Sequence, residues 1–420
     1  MSDNVQSVPA VGNSQPGPRN VPITWQGKPW GLAGLSVFNF VLTIVTLGIY
    51  GFWGRTEVRK RIWSFVRLDG EPLAYTGTGK ELFLGFLLVF GLVLVPSILL
   101  SLAIVVALGP ASGVAAVTQF GFYVLFFYLV GVATYRARRY RLSRTRWRGI
   151  RGAMDGNSWA FGWTYFWTAV VMFAVFILLF MALSLFGMGA APAGADGVRI
   201  PLWVTAPLLL LGVIAAVLVA PWRTTLLTRR LTNDTRFGNR PFSFTGTARP
   251  LYARFLARWI GVIILAIATL AAMYLWIGPQ RLATLMTPDG GGVRRGQLTG
   301  REVAGIVAIL FIAALLFSII TAWYKAAEAN YFASVTTLEG VPFKLTISAG
   351  GLIALVVTNF LIVTLSLGIL RPVAQARTAR YLIDNLSLTG PIDVAKVAQS
   401  QAELSKTGEG LAQAFDVDAF

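Results

Sequence analysis

The chain begins and ends with the same module. Residues 21–50 recur at 341–370 without a gap, and the match resumes near residues 70 and 390. Internal repetition of this kind indicates an architecture built from repeated units, and it constrains the fold before any single residue does. The shared residues include Val21-Pro22, Asn39-Phe40 and Leu47-Gly48-Ile49, which recur as Val341-Pro342, Asn359-Phe360 and Leu367-Gly368-Ile369.

The sequence between the two copies is typical of a membrane protein. Hydrophobic residues make up 55% of the chain and charged residues only 13%, outside the range of soluble domains. Apolar runs long enough to cross a bilayer core of about 30 Å lie at roughly 82–108, 114–134, 160–188, 202–222, 255–277 and 303–324. Two further runs, at 31–53 and 348–370, belong to the repeated terminal modules.

Positive charge is concentrated beside the apolar runs. The formal net charge is +18, and arginines cluster in 54–67, 135–151 and 223–249. The positive-inside rule then places these segments in the cytoplasm, and the short, nearly uncharged connections on the outer side. A nucleic-acid partner is not expected, because the arginines and aromatics of 135–151 directly follow a span, where anionic phospholipid is the nearer partner.

The chain contains no cysteine and no histidine. Thiolate metal sites, haem ligation and histidine-dependent nucleophile triads are therefore excluded, and we expect neither a cofactor nor a metal. No paired carboxylates or activated nucleophile are evident, so we do not expect an enzyme. The predicted bilayer core contains no Asp, Glu or Lys, which weighs against a proton-coupled pump.

Turn phrases predict short strands between the spans. One turn pattern recurs four times, with a degenerate fifth copy at Leu388-Thr389-Gly390. The four variants are Leu68-Asp69-Gly70-Glu71-Pro72, Asp155-Gly156, Gly238-Asn239-Arg240-Pro241 and Leu338-Glu339-Gly340-Val341-Pro342. Gly or Asn ahead of alternating apolar residues predicts a tight turn leading into a strand.

The sidedness of these strands constrains the terminal modules. The first module should begin and end in the cytoplasm, which one transmembrane span cannot do. We therefore predict an all-α polytopic membrane protein with six full spans in three hairpins, flanked by two short or re-entrant modules, with both termini cytoplasmic. Eight full spans remain the alternative. The predicted units are a disordered tail at 1–20, half-modules at 21–70 and 341–390, hairpin repeats at 71–156, 157–240 and 241–340, and a cytoplasmic tail at 391–420.

A set of motifs resembles the YjgN-like family of bacterial inner-membrane proteins. It comprises Asn39–Tyr50 with Trp53, Arg55, Arg59 and Arg61, then Leu68-Asp69-Gly70, Tyr75-Thr76-Gly77, Thr145–Arg151, Asp155-Gly156 and Gly408–Ala412. The resemblance implies a multi-spanning bacterial inner-membrane protein of unknown function, and an association with membrane metallopeptidases as possible partners. The C-terminal copy departs from the pattern, because Arg371-Pro372 replaces the aromatic and basic run after the first module.

Two pairs of polar residues are candidate sites. Arg254 and Arg258 lie one turn apart at the cytoplasmic start of a span, and they either snorkel to lipid phosphates or form an anion or lipid head-group site. Asn39 and Asn359 occupy equivalent repeat positions in apolar runs. A buried amide must find a hydrogen bond, so we predict a structural clamp in which the two asparagines exchange amide hydrogen bonds.

Composition and motifs leave two main functions. A scaffold or partner protein of the inner membrane, with a membrane protease as the candidate partner, needs no ligand site. The alternative is a transporter or lipid-handling protein with a site between the repeats, as broken helices line the substrate sites of transporters.

Overall fold

The computed structural model describes residues 21–110, 112–189, 201–281 and 298–391. The tail predicted at 1–20, and all of the tail predicted at 391–420 except its first residue, lie outside the described residues. Within them, ten helices follow one another: α1 Ala33–Val45, α2 Gly51–Phe65, α3 Gly79–Leu108, α4 Gly113–Arg144, α5 Ser158–Gly189, α6 Leu202–Asn233, α7 Tyr252–Ile277, α8 Gly300–Ser334, α9 Ala349–Leu365 and α10 Arg371–Asp384.

Helices α3 to α8 are the six helices of the described chain that are long and apolar enough to cross a membrane. Their large apolar side chains are exposed along much of their length, as with Leu92, Phe180 and Leu275. A soluble protein would not leave such faces uncovered, whereas lipid covers them. The predicted all-α polytopic membrane fold is confirmed.

Short strands connect the helices at one end of the molecule. They are β1 Ile23–Trp25, β2 Val66–Leu68, β3 Glu71–Pro72, β4 Ala74–Tyr75, β5 Thr145–Trp147, β6 Ile150–Met154, β7 Thr235–Phe237, β8 Arg240–Phe244, β9 Thr336–Leu338, β10 Val341–Leu345 and β11 Leu386–Leu388. In the described residues, strands β4 to β11 form one antiparallel sheet in sequence order, and β1, β2 and β3 form a second. Between the sheets, the Leu73 N–H donates to the Val66 carbonyl at 2.9 Å.

The predicted turns at Asp69-Gly70, Gly238-Asn239 and Glu339-Gly340 are two-residue hairpin turns. The turn predicted at Asp155-Gly156 was wrong, because these residues follow β6 and lead into α5, and the hairpin turn of that repeat lies at Arg148-Gly149. Asp69 and Gly70 both have positive φ, at 54° and 78°, and Glu339 and Gly340 repeat this at 52° and 83°. Positive φ at both central residues matches the right-handed twist of the flanking strands, so such turns close hairpins without splaying them.

The terminal modules are helical hairpins that return to the side on which they begin. A turn at Leu47-Gly48 joins α1 to α2, and a turn at Leu367-Gly368 joins α9 to α10. The φ angles are positive in both turns and match, at 50° and 95° in the first turn and 50° and 86° in the second. The backbone hydrogen bonds also match, since the Gly48 N–H donates to Thr43 O and the Gly368 N–H to Val363 O, both at 2.7 Å. Each hairpin begins after one strand and ends before another, which favours the re-entrant reading over eight full spans.

Packing between the terminal modules closes the chain into a ring. Leu32, Val58 and Ile62 of the N-terminal module form a buried cluster with Val373 and Ala376 of α10. A second cluster joins the strand regions, where Val21 and Leu338 are buried together with Leu68, Phe237 and Leu388 around them. The ends of the described chain therefore lie together on the sheet side of the molecule.

The basic segments are largely not loops. Residues 54–67 are mostly helix α2, and 135–151 and 223–249 begin in the last turns of α4 and α6 before the strands follow. These segments are helical because α4, at 32 residues, measures about 48 Å and extends well beyond a 30 Å bilayer core. Their cytoplasmic placement stays a prediction.

Cysteine labelling tests the hairpin topology, and the absence of native cysteine makes it clean. In intact cells a membrane-impermeant maleimide should label Leu298→Cys, at the far end of α8 from the sheet. It should label Lys344→Cys on the sheet only after permeabilisation. Leu47 lies at a hairpin tip and is 94% exposed in the isolated protein. Leu47→Cys should remain unlabelled in intact and in permeabilised cells, because lipid tails cover it. Labelling of Leu47→Cys in intact cells would show that the module crosses the membrane.

Candidate functional site

A cavity of about 580 Å³ lies between the two terminal hairpins and the sheet-side ends of α4 and α6. This volume is typical of small-ligand sites. Five arginines line the cavity, and no Asp or Glu is among the described lining residues; the arginines are Arg55, Arg59, Arg138, Arg141 and Arg371. The arrangement is therefore strongly cationic.

Helical spacing turns these arginines to one side. Arg55 and Arg59 are four residues apart on α2, and Arg138 and Arg141 three apart on α4, so each pair shares a helix face. Arg59 lies seven residues before the start of β2, and Arg138 lies seven residues before the start of β5. The two arginines are therefore equivalent in the repeat. Arg371 begins α10 directly after its hairpin turn.

Most carboxylates elsewhere in the described chain have other partners. Glu81 pairs with Arg144 at 2.6 Å and accepts a hydrogen bond from Tyr140, and Asp234 accepts from Tyr135 at 2.9 Å. Further ion pairs join Asp155 with Arg236, Glu339 with Arg240, Glu328 with Lys325, Glu302 with Arg281, and Asp69 with Arg148. The described lining of the cavity contains no acidic residue, although Arg59, Arg141 and Arg371 each have a partner of their own.

Two of the five arginines are unpaired. Arg55 and Arg138 have no hydrogen bond or ion pair within the described residues. Arg59 is held in place, since its Nη1 donates to the Tyr75 hydroxyl at 3.2 Å and its guanidinium lies 5.4 Å from the centre of that ring. Arg138 is half-buried, and a half-buried guanidinium without an anion is unfavourable, so the arrangement favours an anionic ligand.

The end of the cavity nearest the sheet is closed. Trp63 and Thr145 both line it, and the Trp63 indole N–H donates to the Thr145 hydroxyl at 2.9 Å, bridging α2 and β5. At the hairpin end, Arg55, Gly368 and Arg371 are exposed. The lining is therefore exposed at the hairpin turns and half-buried at the sheet side.

The cavity opening lies at the depth of the aromatic belt. Three tryptophans each lie thirteen residues before the strand that follows their helix: Trp53 before β2, Trp222 before β7 and Trp323 before β9. They therefore lie at the same level of the repeat. Trp222 and Trp323 are about 40% exposed, at 39% and 40%, as expected of residues at a membrane interface. Arg55 lies within one turn of Trp53 on the same helix.

Asn39 and Asn359 each donate within their own hairpin. Asn39 Nδ2 donates to the Gly54 carbonyl at 3.3 Å, and Asn359 Nδ2 donates to the equivalent Ala374 carbonyl at 3.2 Å and to Thr378 Oγ1 at 3.1 Å. The expected exchange of hydrogen bonds between the two asparagines was wrong, because both Oδ1 atoms lack a partner in the described structure. The hairpin is tight enough for each amide to reach the carbonyl of its own second helix. A structural role for these amides stays a prediction.

Arg254 and Arg258 lie away from this cavity. Arg254 is exposed in a groove beside Asn330 and Tyr331, at the sheet-side ends of α7 and α8. The Arg258 guanidinium lies over the rings of Phe255 and Tyr324, at 5.6 and 5.5 Å from their centres. Their assignment to lipid head groups stays a prediction.

Sequence reasoning did not find the cavity arginines as a group. They were read as positive charge of cytoplasmic loops, and Arg371 as a departure from the repeat. A helical reading of the basic segments would have given the signal, because the spacings of Arg55 with Arg59 and of Arg138 with Arg141 each define one face.

Comparison with known proteins agrees with this architecture. Residues 20–414 match the family described as "Bacterial protein of unknown function (DUF898)". The chain belongs to this family. It is also 23% identical over 395 residues to a Salmonella typhimurium protein named "Inner membrane protein YjgN", covering 92% of this chain and 93% of that protein.

The family assignment confirms the resemblance drawn from the motifs, and the protein is a multi-pass protein of the inner membrane. No solved structure matches the chain.

Asparagine substitution tests the hairpin hydrogen bonds. Asn359→Ala removes two hydrogen bonds and Asn39→Ala one, and each bond within a membrane contributes on the order of 0.6–1.7 kcal/mol. Both variants should unfold at a lower temperature than the wild type in detergent, Asn359→Ala by the larger amount, as followed by tryptophan fluorescence. Ser184→Ala, which removes only a bond within one helix turn, is the control. Unchanged unfolding temperatures would show that the amides do not hold the hairpins.

Proposed function

We propose that the protein is a lipid-handling protein that binds the head group of an anionic phospholipid in the arginine cavity. The observation that carries this proposal is the group of five arginines around one cavity without an acidic residue in its described lining. Arginine is well suited to phosphate, because its planar guanidinium donates two parallel hydrogen bonds to phosphate oxygens.

Position favours a lipid over a soluble anion. The opening lies at head-group depth, and the cavity is closed on the sheet side by Trp63 and Thr145. The hairpin tips are apolar and exposed, Leu47 by 94% and Leu367 by 87%. A bound phospholipid would place its phosphate near Arg55 and Arg371 and its acyl chains along the tips.

The leaflet follows from charge. The strands and helix ends on the sheet side contain the basic segments, so the positive-inside rule places the sheet and both ends of the described chain in the cytoplasm. The proposed ligand is then a lipid of the cytoplasmic leaflet, which is rich in negative charge. The proposal assigns binding and no catalysis. The scaffold role and a protease partner stay predictions drawn from the sequence.

Retention of lipid by purified protein tests the proposal. Native mass spectrometry of the wild type should show bound phosphatidylglycerol in preference to zwitterionic phosphatidylethanolamine. Arg55→Gln/Arg371→Gln should weaken phosphatidylglycerol binding at least about tenfold, because hydrogen bonds between charged groups contribute about 1.5–3 kcal/mol each. Excess inorganic phosphate should compete poorly if the acyl chains contribute to binding.

The matched control is Arg61→Gln/Arg380→Gln. It removes two positive charges from the same helices, α2 and α10, at positions outside the cavity lining. Equal loss of lipid from the control and the cavity variant would indicate general surface charge, and lipid retention unaffected by either would contradict the proposal.

A further inference from the structure

The cavity arginines form an outer and an inner tier. All three helices that carry them run towards the sheet, so distance from the following strand measures depth. In the outer tier, Arg55 lies eleven residues before β2 and Arg371 fifteen residues before β11, and both are exposed. Arg59, Arg138 and Arg141, the inner tier, lie nearer to β2 and β5 and are half-buried.

The two tiers are one helix turn apart on α2. Arg55 and Arg59 are four residues apart on α2, which is about 6 Å along the axis at a rise of 1.5 Å per residue. The floor of the inner tier is the Trp63–Thr145 hydrogen bond. A head group entering from the hairpin end therefore meets the outer tier first, and any group projecting further towards the sheet meets the inner tier.

A single phosphate would leave one tier without an anion. A phosphodiester held by Arg55 and Arg371 would lie in the outer tier, whereas Arg138, which has no hydrogen bond or ion pair in the described structure, lies in the inner tier. Leaving a half-buried guanidinium unmatched is unfavourable. A second phosphate, placed beyond the first along the membrane normal, would meet this charge.

We propose that the arginine cavity selects lipids whose head group carries two phosphates in line along the membrane normal, as in a lipid diphosphate. The outer tier binds the phosphate attached to the lipid tail, and the inner tier binds the terminal phosphate. This inference rests on the proposed function and adds the class of ligand. It requires no chemical step, since the lipid is bound intact.

The test compares two lipids with one tail. Geranylgeranyl monophosphate and geranylgeranyl diphosphate are titrated against the detergent-solubilised wild type, and binding is measured by native mass spectrometry. The diphosphate should bind at least tenfold more tightly than the monophosphate. In Arg59→Gln/Arg138→Gln this preference should fall to near one, while the affinity for the monophosphate changes less than threefold.

Two further variants control for charge and folding. Arg61→Gln/Arg136→Gln removes the same charge from α2 and α4 outside the cavity lining, and should keep the preference. Arg59→Lys/Arg138→Lys keeps the positive charge, and should retain part of the preference even if the glutamine variant folds poorly.

The outcomes separate this inference from the proposed function. Equal binding of the two lipids, or equal loss of both in the inner-tier variant, would overturn the two-tier assignment while leaving anionic lipid binding intact. Inorganic pyrophosphate binding as tightly as the diphosphate lipid would overturn the lipid assignment in favour of a soluble ligand. If neither isoprenoid lipid nor phosphatidylglycerol binds, the proposed function fails and the inference fails with it.

Discussion

Antiparallel strand pairing at one end of the helices is the interaction on which the rest of this structure depends. Each helix of the described chain that arrives at the sheet is followed by a short strand, and each strand pairs with its neighbour in sequence order from β4 to β11. Backbone hydrogen bonds therefore fix on which side each helix begins or ends. The terminal hairpins must return to the same side because both of their ends are held by strands.

The ring closure has an electrostatic consequence. Bringing the two terminal modules together around Leu32, Val58 and Val373 also brings α2 and α10 beside α4. The arginines on these helices then surround one space, while Glu81, Asp155 and Glu339 pair with arginines elsewhere. Like charges are unfavourable in a confined site unless an anion or water compensates them. Such a site is easier to account for as a place for a ligand than as a source of stability.

Periodicity and repetition predicted much of the architecture. Six spans, the short strands and the returning hairpins follow from apolar run length, from turn residues such as Asp69-Gly70, and from the parity of cytoplasmic segments. The π turn at Phe90–Leu94 within α3 left no comparable mark in the apolar pattern, although Pro96 just beyond it interrupts the helical hydrogen bonds.

The site was harder to predict than the fold. A count of arginines in a segment indicates sidedness but not which helix face each side chain occupies, so Arg55 and Arg371 could not be placed together before the hairpins were. Asn39 shows the same limit. Sequence equivalence with Asn359 suggested that the two meet, whereas the hairpin brings each amide to a carbonyl of its own module, at Gly54 and Ala374. Long-range pairing of equivalent residues depends on tertiary distances that a repeat alone does not give.

The central claim is that the arginine cavity holds the phosphate of a membrane lipid. The most direct measurement is a pair of cryo-electron microscopy maps of the wild-type protein, in nanodiscs of phosphatidylglycerol and of phosphatidylcholine. We predict a strong density between Arg55 and Arg371 in the anionic nanodiscs, continuous with acyl-chain density along Leu47 and Leu367, and a weaker density in the zwitterionic ones. A cavity that is closed, or that contains only isolated water-sized densities in both lipids, would contradict the account.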